Sequence, residues 1–386
     1  MVLKSFFLFL GLVLLSSCST LDRWASKNAE QRDFQVRKVW VRQGPKEDNV
    51  GYRKINRMTP VLAGSLILSG NAIDGLVAMD RDSGNIVWRV PVINGIEGGA
   101  TLIRDRLFVG GSDGKFYAIN ARTGEVLWAF ATNAESLGEP FLDGSTGTLY
   151  VLTAANIVHA LDAESGRPVW VYSRQDAAQF TIRGGSKPAL KGENLYVGFS
   201  DGFLAALNAR TGAIRWDVQL NRNKRFKDVD SSPVIDGDRL YVAGYDDKLY
   251  ALSTETGEIL WTLDRGGYAA VTVDGNRVYY PTSDGALLAL DRSSGKILWD
   301  FKVKQGIATG VVQQKGLLVF GESLGSVRFL DSSNGREVAS FEPGRGVFST
   351  PLVEETSGRV YFISNESNVY ALEATWGRAP AFPYLR

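Results

Sequence analysis

Apolar and polar positions alternate along this chain in short runs that break every few residues at Gly, Asp or Asn. The stretch SSPVIDGDRLYVAGYDDKLYALSTETGEILWTL, from Ser231 to Leu263, holds four such runs: Pro233–Ile235, Leu240–Ala243, Leu249–Leu252 and Ile259–Leu263. Asp236-Gly237-Asp238 and Tyr245-Asp246-Asp247 separate the first three. Short β-rich runs bounded by these residue types predict strands joined by tight turns. The unit recurs: its turn glycine stands at Gly84, Gly124, Gly166, Gly212, Gly257, Gly295, Gly335 and Gly377, with gaps of 40, 42, 46, 45, 38, 40 and 42 residues. Four residues before each glycine stands Asp80, Asn120, Asp162, Asn208, Ser253, Asp291, Asp331 or Glu373. Four residues after the first six stands Trp88, Trp128, Trp170, Trp216, Trp261 or Trp299, and the seventh unit has Ala339 there.

Four strands per unit of about 40 residues predict a propeller blade. The last unit runs out after its glycine into RAPAFPYLR and lacks a fourth strand. Near the start, FQVRKVWVR (Phe34–Arg42) is a strand without a unit, with Trp40 at the tryptophan position. The two deficits fit each other. The expected fold is all-β, an eight-bladed β-propeller of four-stranded blades over residues 35–386, closed by pairing of the N-terminal strand with the last blade. Such closure leaves the ring no open terminus.

The leading residues change the picture of where the chain works. MVLKSFFLFLGLVLLSSCST carries one early cation, Lys4, and an apolar run from Phe6 to Leu15. That run is too short for a membrane span of roughly 20 residues and fits a secretory signal peptide. Leu15-Ser16-Ser17-Cys18 resembles a bacterial lipobox. Residues 1–17 are therefore expected to be removed, Cys18 to carry the lipid, and residues 18–34 to form the lipidated N-terminus and tether. Ser19 after the cysteine implies the outer membrane, facing the periplasm. Removing Lys4 leaves 42 Lys and Arg against 42 Asp and Glu. That balance gives no basic excess for nucleic acid or a membrane surface, so the membrane is reached through the lipid alone. Cys18 is the sole cysteine, so stability rests on the buried core and not on disulfides.

Chemistry is sparse. Seven of the nine tryptophans occupy the repeated outer-strand position and are read as packing between blades. The sole histidine, His159 in NIVHALD, takes the slot that Tyr117, Tyr250 and Tyr370 fill elsewhere, and is read as a strand residue of the repeat. No second His or Cys is available for a transition-metal site, and no nucleophile–base pair is visible. No catalytic residue, cofactor or metal site is assigned. The repeat resembles the quinone-cofactor dehydrogenases across nearly the whole mature chain, which supports eight blades. The resemblance would imply a quinone, a calcium and adjacent cysteines in the alcohol-dehydrogenase type, yet adjacent cysteines cannot occur here. A periplasmic quinone-dependent oxidoreductase or quinone-binding sensor stays open as the alternative.

Departures from the repeat point to the working surface. From the outer-strand tryptophan to the next blade, most connections span 10 to 13 residues, as in Trp88–Thr101 and Trp261–Val271. Two consecutive ones are longer: Trp170–Pro188 spans 18 and Trp216–Pro233 spans 17. Being consecutive and of one type, they share a face of the disc and should touch or nearly touch. The first reads VYSRQDAAQFTIRGGSK, with Phe180 and Ile182 beside Arg183. The second reads DVQLNRNKRFKDVDSS, a basic run ending in Asp228 and Asp230. Exposed apolar residues ringed by Arg and Asp suit a protein-binding patch. With signal peptide, lipobox and eight quinoprotein-like blades, FTIRGGSKP and KDVDSSP resemble the BamB family of outer-membrane assembly lipoproteins over the whole chain. The resemblance implies a non-enzymatic scaffold whose Phe180, Ile182, Arg183, Asp228 and Asp230 bind a periplasmic POTRA domain of the barrel-inserting subunit. Unfolded outer-membrane proteins are a further implied partner, through an exposed edge strand. Phe180 stands where that family more usually has Leu, and Gly185 where it usually has Glu, which leaves no acidic contact at 185.

Overall fold

The computed structural model describes residues 32–45, 55–73, 75–174, 185–221, 227–229, 231–245 and 248–378. Among them, 32 strands form eight antiparallel sheets of four. The first strands of neighbouring blades, such as Ala189–Lys191 and Val234–Asp236, lie side by side. The blade read from the pattern at Ser231–Leu263 is observed as Val234–Asp236, Arg239–Ala243, Leu249–Ser253 and Ile259–Leu263. The second and third strands of each blade are almost wholly buried, whereas the outer strand Pro168–Ser173 alternates exposed and half-buried positions. Burial therefore lies between the blades.

One contact repeats at seven of the eight seams. The turn between third and outer strand closes as an Asp or Asn turn. In blade one Asp80 Oδ1 accepts both the N–H and the hydroxyl of Ser83 at 2.8 Å, and the Gly84 N–H donates to the Asp80 carbonyl at 2.8 Å. The hydroxyl and the N–H of Ser83 together hold the Asp80 carboxyl below its usual range. Gly84 sits at φ 69, a conformation only glycine adopts without strain. A Cβ there would lie 2.7 Å from the indole of Trp40, the outer-strand tryptophan of the preceding blade. Gly124, Gly166, Gly212, Gly257, Gly295 and Gly335 meet Trp88, Trp128, Trp170, Trp216, Trp261 and Trp299 in the same way. The indole N–H of Trp170 also donates to the Ala209 carbonyl at 2.8 Å, and that of Trp40 to Arg81 at 3.0 Å, so the turn is gripped by its backbone too. Room for each ring comes from an alanine on the neighbouring strand of its own blade, as in Ala160 opposite Trp170 and Ala206 opposite Trp216.

The eighth blade, and with it the seam to blade seven, is built differently. Strand β1 (Arg32–Arg42) pairs antiparallel with strand β32 (Val369–Arg378), from Arg32 opposite Arg378 to Arg42 opposite Val369. The ring closes as the sequence implies, with Trp40 opposite Ala371. Two expectations shift. The strand starts at Arg32, two residues ahead of the expected Phe34, and Phe34 is buried against Phe329 at 5.5 Å and Trp376 at 5.1 Å. Gly377 is not a turn glycine: β32 runs straight through it, since the outer strand arrives from the other end of the chain and needs no hairpin. In blade seven the bulk is exchanged across the pair, with Phe329 opposite Ala339 where other blades place Ala opposite Trp.

His159 lies on the third strand of its blade as expected, buried against Phe130 at 5.3 Å, and neither ring nitrogen has a hydrogen-bond partner among the described residues. Burial pulls its pKa below the ordinary 6.5. The unfolded chain thus binds the proton more readily, so stability is complete above pH 6.5 and falls as pH drops below it. Calorimetric melts should therefore show a stability gap between the parent and His159→Tyr that shifts in favour of the variant between pH 7 and pH 5. A gap independent of pH would contradict this account of the buried imidazole.

Candidate interaction face

Alternation of strand direction sorts the loops by face. Turns between first and second strands, and the Asp/Asn–Gly turns, lie on one face of the disc. Loops between second and third strands lie on the other, with the connections to the next blade. The two long connections belong to this second face, on neighbouring blades.

The first connection leaves strand β13 (Pro168–Ser173) at Arg174, one of the better-fixed charges in the molecule. Its guanidinium pairs with Asp201 and, at 3.0 Å, with Asp217, and lies 4.0 Å from the ring centre of Phe203. Its side chain is 15% exposed, and two carboxylates with an aromatic face make a buried, compensated cation. Asp201 belongs to the loop joining the second and third strands of the next blade. That loop is tied back to the previous one by Asn156, whose side chain donates to Ser200 Oγ at 2.6 Å and accepts the Ser200 N–H at 3.1 Å.

The same connection comes down at Gly185–Lys187. A Cβ on Gly185 would lie 2.5 Å from the backbone of Leu137 and Gly138, in the preceding connection. Glycine at 185 is thus required by a backbone-to-backbone approach, which explains why no acidic side chain stands there. Lys187 donates its N–H to Ser232 Oγ at 2.8 Å and its Nζ to Glu139 at 2.5 Å, while Ser186 Oγ donates to the Ser231 carbonyl at 3.5 Å. Ser231 and Ser232 belong to the second long connection, so the two touch, as the spacing predicts.

The second connection is fixed at both ends. Leu220 and Asn221 are buried, and both N–H groups donate to the Gly202 carbonyl. On the return, Val229 is 3% exposed and donates its N–H to Phe199 at 3.1 Å, and Ser231 Oγ accepts the Ala243 N–H at 2.6 Å. Asp228 is 1% exposed, within the protein rather than on its surface. Phe180, Ile182, Arg183 and Asp230 lie outside the described residues, as does Cys18.

A second polar cluster went unnoticed in the sequence. Arg328, at the repeat position of Tyr117, His159 and Tyr250, is buried and pairs with Glu322 at 2.9 Å and Glu337 at 2.8 Å. Glu322 is wholly buried and also accepts the Lys304 and Ser326 N–H groups. An arginine in a slot otherwise filled by Tyr, His, Leu, Ala or Val was the available signal. These partners all belong to blade seven or its adjoining connection, so the cluster stiffens that blade.

The family described as "Outer membrane protein assembly factor BamB" matches residues 74–301 and 228–381. A protein of that name from Shewanella oneidensis is 27% identical over 244 residues, which cover 57% of this chain and 60% of the relative. The matched stretches span between half and 60% of the curated relatives' length. The solved structure of BamB from Moraxella catarrhalis superposes with a TM-score of 0.74 at 22% identity, covering 88% of this chain and all of that one. A europium-containing methanol dehydrogenase superposes at 0.72 with 12% identity, over 88% and 93% of the chains. At such identities these two likenesses speak for the fold alone, which assembly factors and dehydrogenases share.

Gly185→Ala should lower the melting temperature and loosen both connections together, because the methyl group has only the Leu137–Gly138 backbone to move. Thermal melts with limited proteolysis would check it. Unchanged stability and unchanged cleavage across 175–184 would contradict the close approach.

Proposed function

Because the chain belongs to the BamB family of outer-membrane protein assembly factors, we propose that it is a non-enzymatic scaffold of the β-barrel assembly machinery. In this reading, lipid on Cys18 holds it at the periplasmic side of the outer membrane, and it docks on POTRA domains of the barrel-inserting subunit. The observation that carries the reading is the joining of the two long connections. Lys187 bonds to Ser232 across them, Arg174 fixes the start of the first, and Leu220, Asn221 and Val229 fix both ends of the second. Residues 175–184, 222–226 and 230 therefore spring from one rigid base.

A rigid base lowers the entropy lost on association, and few anchors then carry most of the affinity. Phe180 and Ile182 are assigned to an apolar groove on the partner, and Arg183 to a carboxylate or a backbone carbonyl beside it. Asp228, being buried, is assigned to ordering the second connection, which leaves Asp230 to meet partner cations. Strand β1 enters the ring from the face opposite these connections, so the tether joins on the far side from the docking surface. The stretch from Cys18 to Arg32 spans at most roughly 50 Å when extended, enough to let the disc turn its docking face to the partner. Unfolded outer-membrane strands are a second partner in this reading. The outer strands present unpaired edges with exposed Val169, Val171 and Ile214, a template for strand addition.

The test is a titration of the mature chain carrying Cys18→Ser against the isolated POTRA array. Arg183→Glu should weaken binding by at least ~10-fold while its melting temperature stays at the parent value. A parent that does not bind, or a folded variant that binds equally well, would overturn the assignment.

A further inference from the structure

The seam between blades seven and eight is where the repeat fails twice, with Ala339 in place of the packing tryptophan and no turn glycine beyond it. Among the described residues, Phe34, Phe329 and Trp376 leave this seam only partly filled. Phe34, Leu317, Val319, Phe329, Val360 and Trp376 line a largely apolar groove of about 260 Å³ at the turn face. An apolar cavity of ~150 Å³ already accepts a benzene ring, so the groove has room for at least one aromatic side chain. Its floor is braced, since Lys315 reaches across from blade seven to donate to the Glu355 carbonyl at 2.8 Å. Trp376 stands at its mouth, 54% exposed, an unusual state for a tryptophan already packed edge-on against Phe34.

The chain itself supplies an occupant. Strand β32 ends at Arg378, two residues past Trp376, and is followed by Ala-Pro-Ala-Phe-Pro-Tyr-Leu-Arg, residues 379–386. Pro380 and Pro383 lack the N–H donors that a further strand pairing would use. It carries Phe382, Tyr384 and Leu385 within four positions, an apolar density with no place in the repeat. Phe382 is four residues beyond Arg378, at most ~14 Å of extended chain. We propose that residues 379–386 fold back over the seam and seat Phe382 or Tyr384 in the groove lined by Phe34, Phe329 and Trp376, in place of the tryptophan that blade seven lacks. The segment then latches the pairing of β1 with β32, the only joint in the ring not made by continuous chain.

Two measurements test the latch in the mature chain carrying Cys18→Ser, which has no other cysteine. Val353→Cys in the groove, combined with Phe382→Cys, should form an intrachain disulfide in high yield on mild oxidation. Leu298→Cys, exposed on the outer strand of blade six, should not when paired with the same Phe382→Cys. Deleting 379–386 should lower the melting temperature by about 2–5 °C. Phe382→Ala with Tyr384→Ala should reproduce most of that loss, and a synthetic peptide of residues 379–386 should restore part of it. Equal cross-linking to both cysteines, or a deletion that leaves the melting temperature unchanged, would overturn the proposal. Disulfides formed between chains rather than within one would overturn it in favour of a second copy in the groove.

Discussion

A tryptophan laid on a glycine holds this ring together. Each outer-strand indole lies against the next blade's turn, where glycine adopts the backbone angle without strain and leaves room for the ring. Burying an aromatic of this size contributes on the order of 3 kcal/mol, and seven seams share the device. The alanine opposite each tryptophan and the Asp, Asn or, in blade five, Ser253 that shapes the turn serve the same contact. A blade without it would bury little by itself, as expected of a repeat that is stable only through its neighbours.

Closure asks for something else, because the last blade joins the two ends of the chain. There the outer strand comes from residues 32–42, the turn disappears, and Phe34, Phe329 and Trp376 take over the packing. The change has a consequence for geometry. Strand β1 enters on the turn face, while the long connections lie on the opposite one, so in the proposed reading anchoring and docking use different sides of the disc.

The sequence made the fold legible because the contact that builds it has a fixed spacing: glycine, then tryptophan four residues later, at intervals near 40. The turn at Gly377 was misjudged because spacing alone does not reveal that the strand beside it comes from the opposite end of the chain. The site was half legible. Connection length pointed to neighbouring loops on one face, and Lys187 does bond to Ser232. The rooting of those loops was not, since Arg174 meets Asp201 and Asp217 only once two blades are packed side by side. Nor could a motif tell that Asp228 would be buried, for burial depends on Val229 packing on Gly198 of another strand.

In the proposed function, two joined connections on one face of the propeller serve docking by presenting a few anchors from a base that does not reorganise. The most direct test of that claim is amide hydrogen exchange of the mature chain with and without the POTRA array, which reads every blade at once. The account predicts new protection confined to residues 175–184 and 222–230, with the turn face and the outer edges of blades seven and eight unchanged. Protection on the turn face, or none within the two connections, would contradict it.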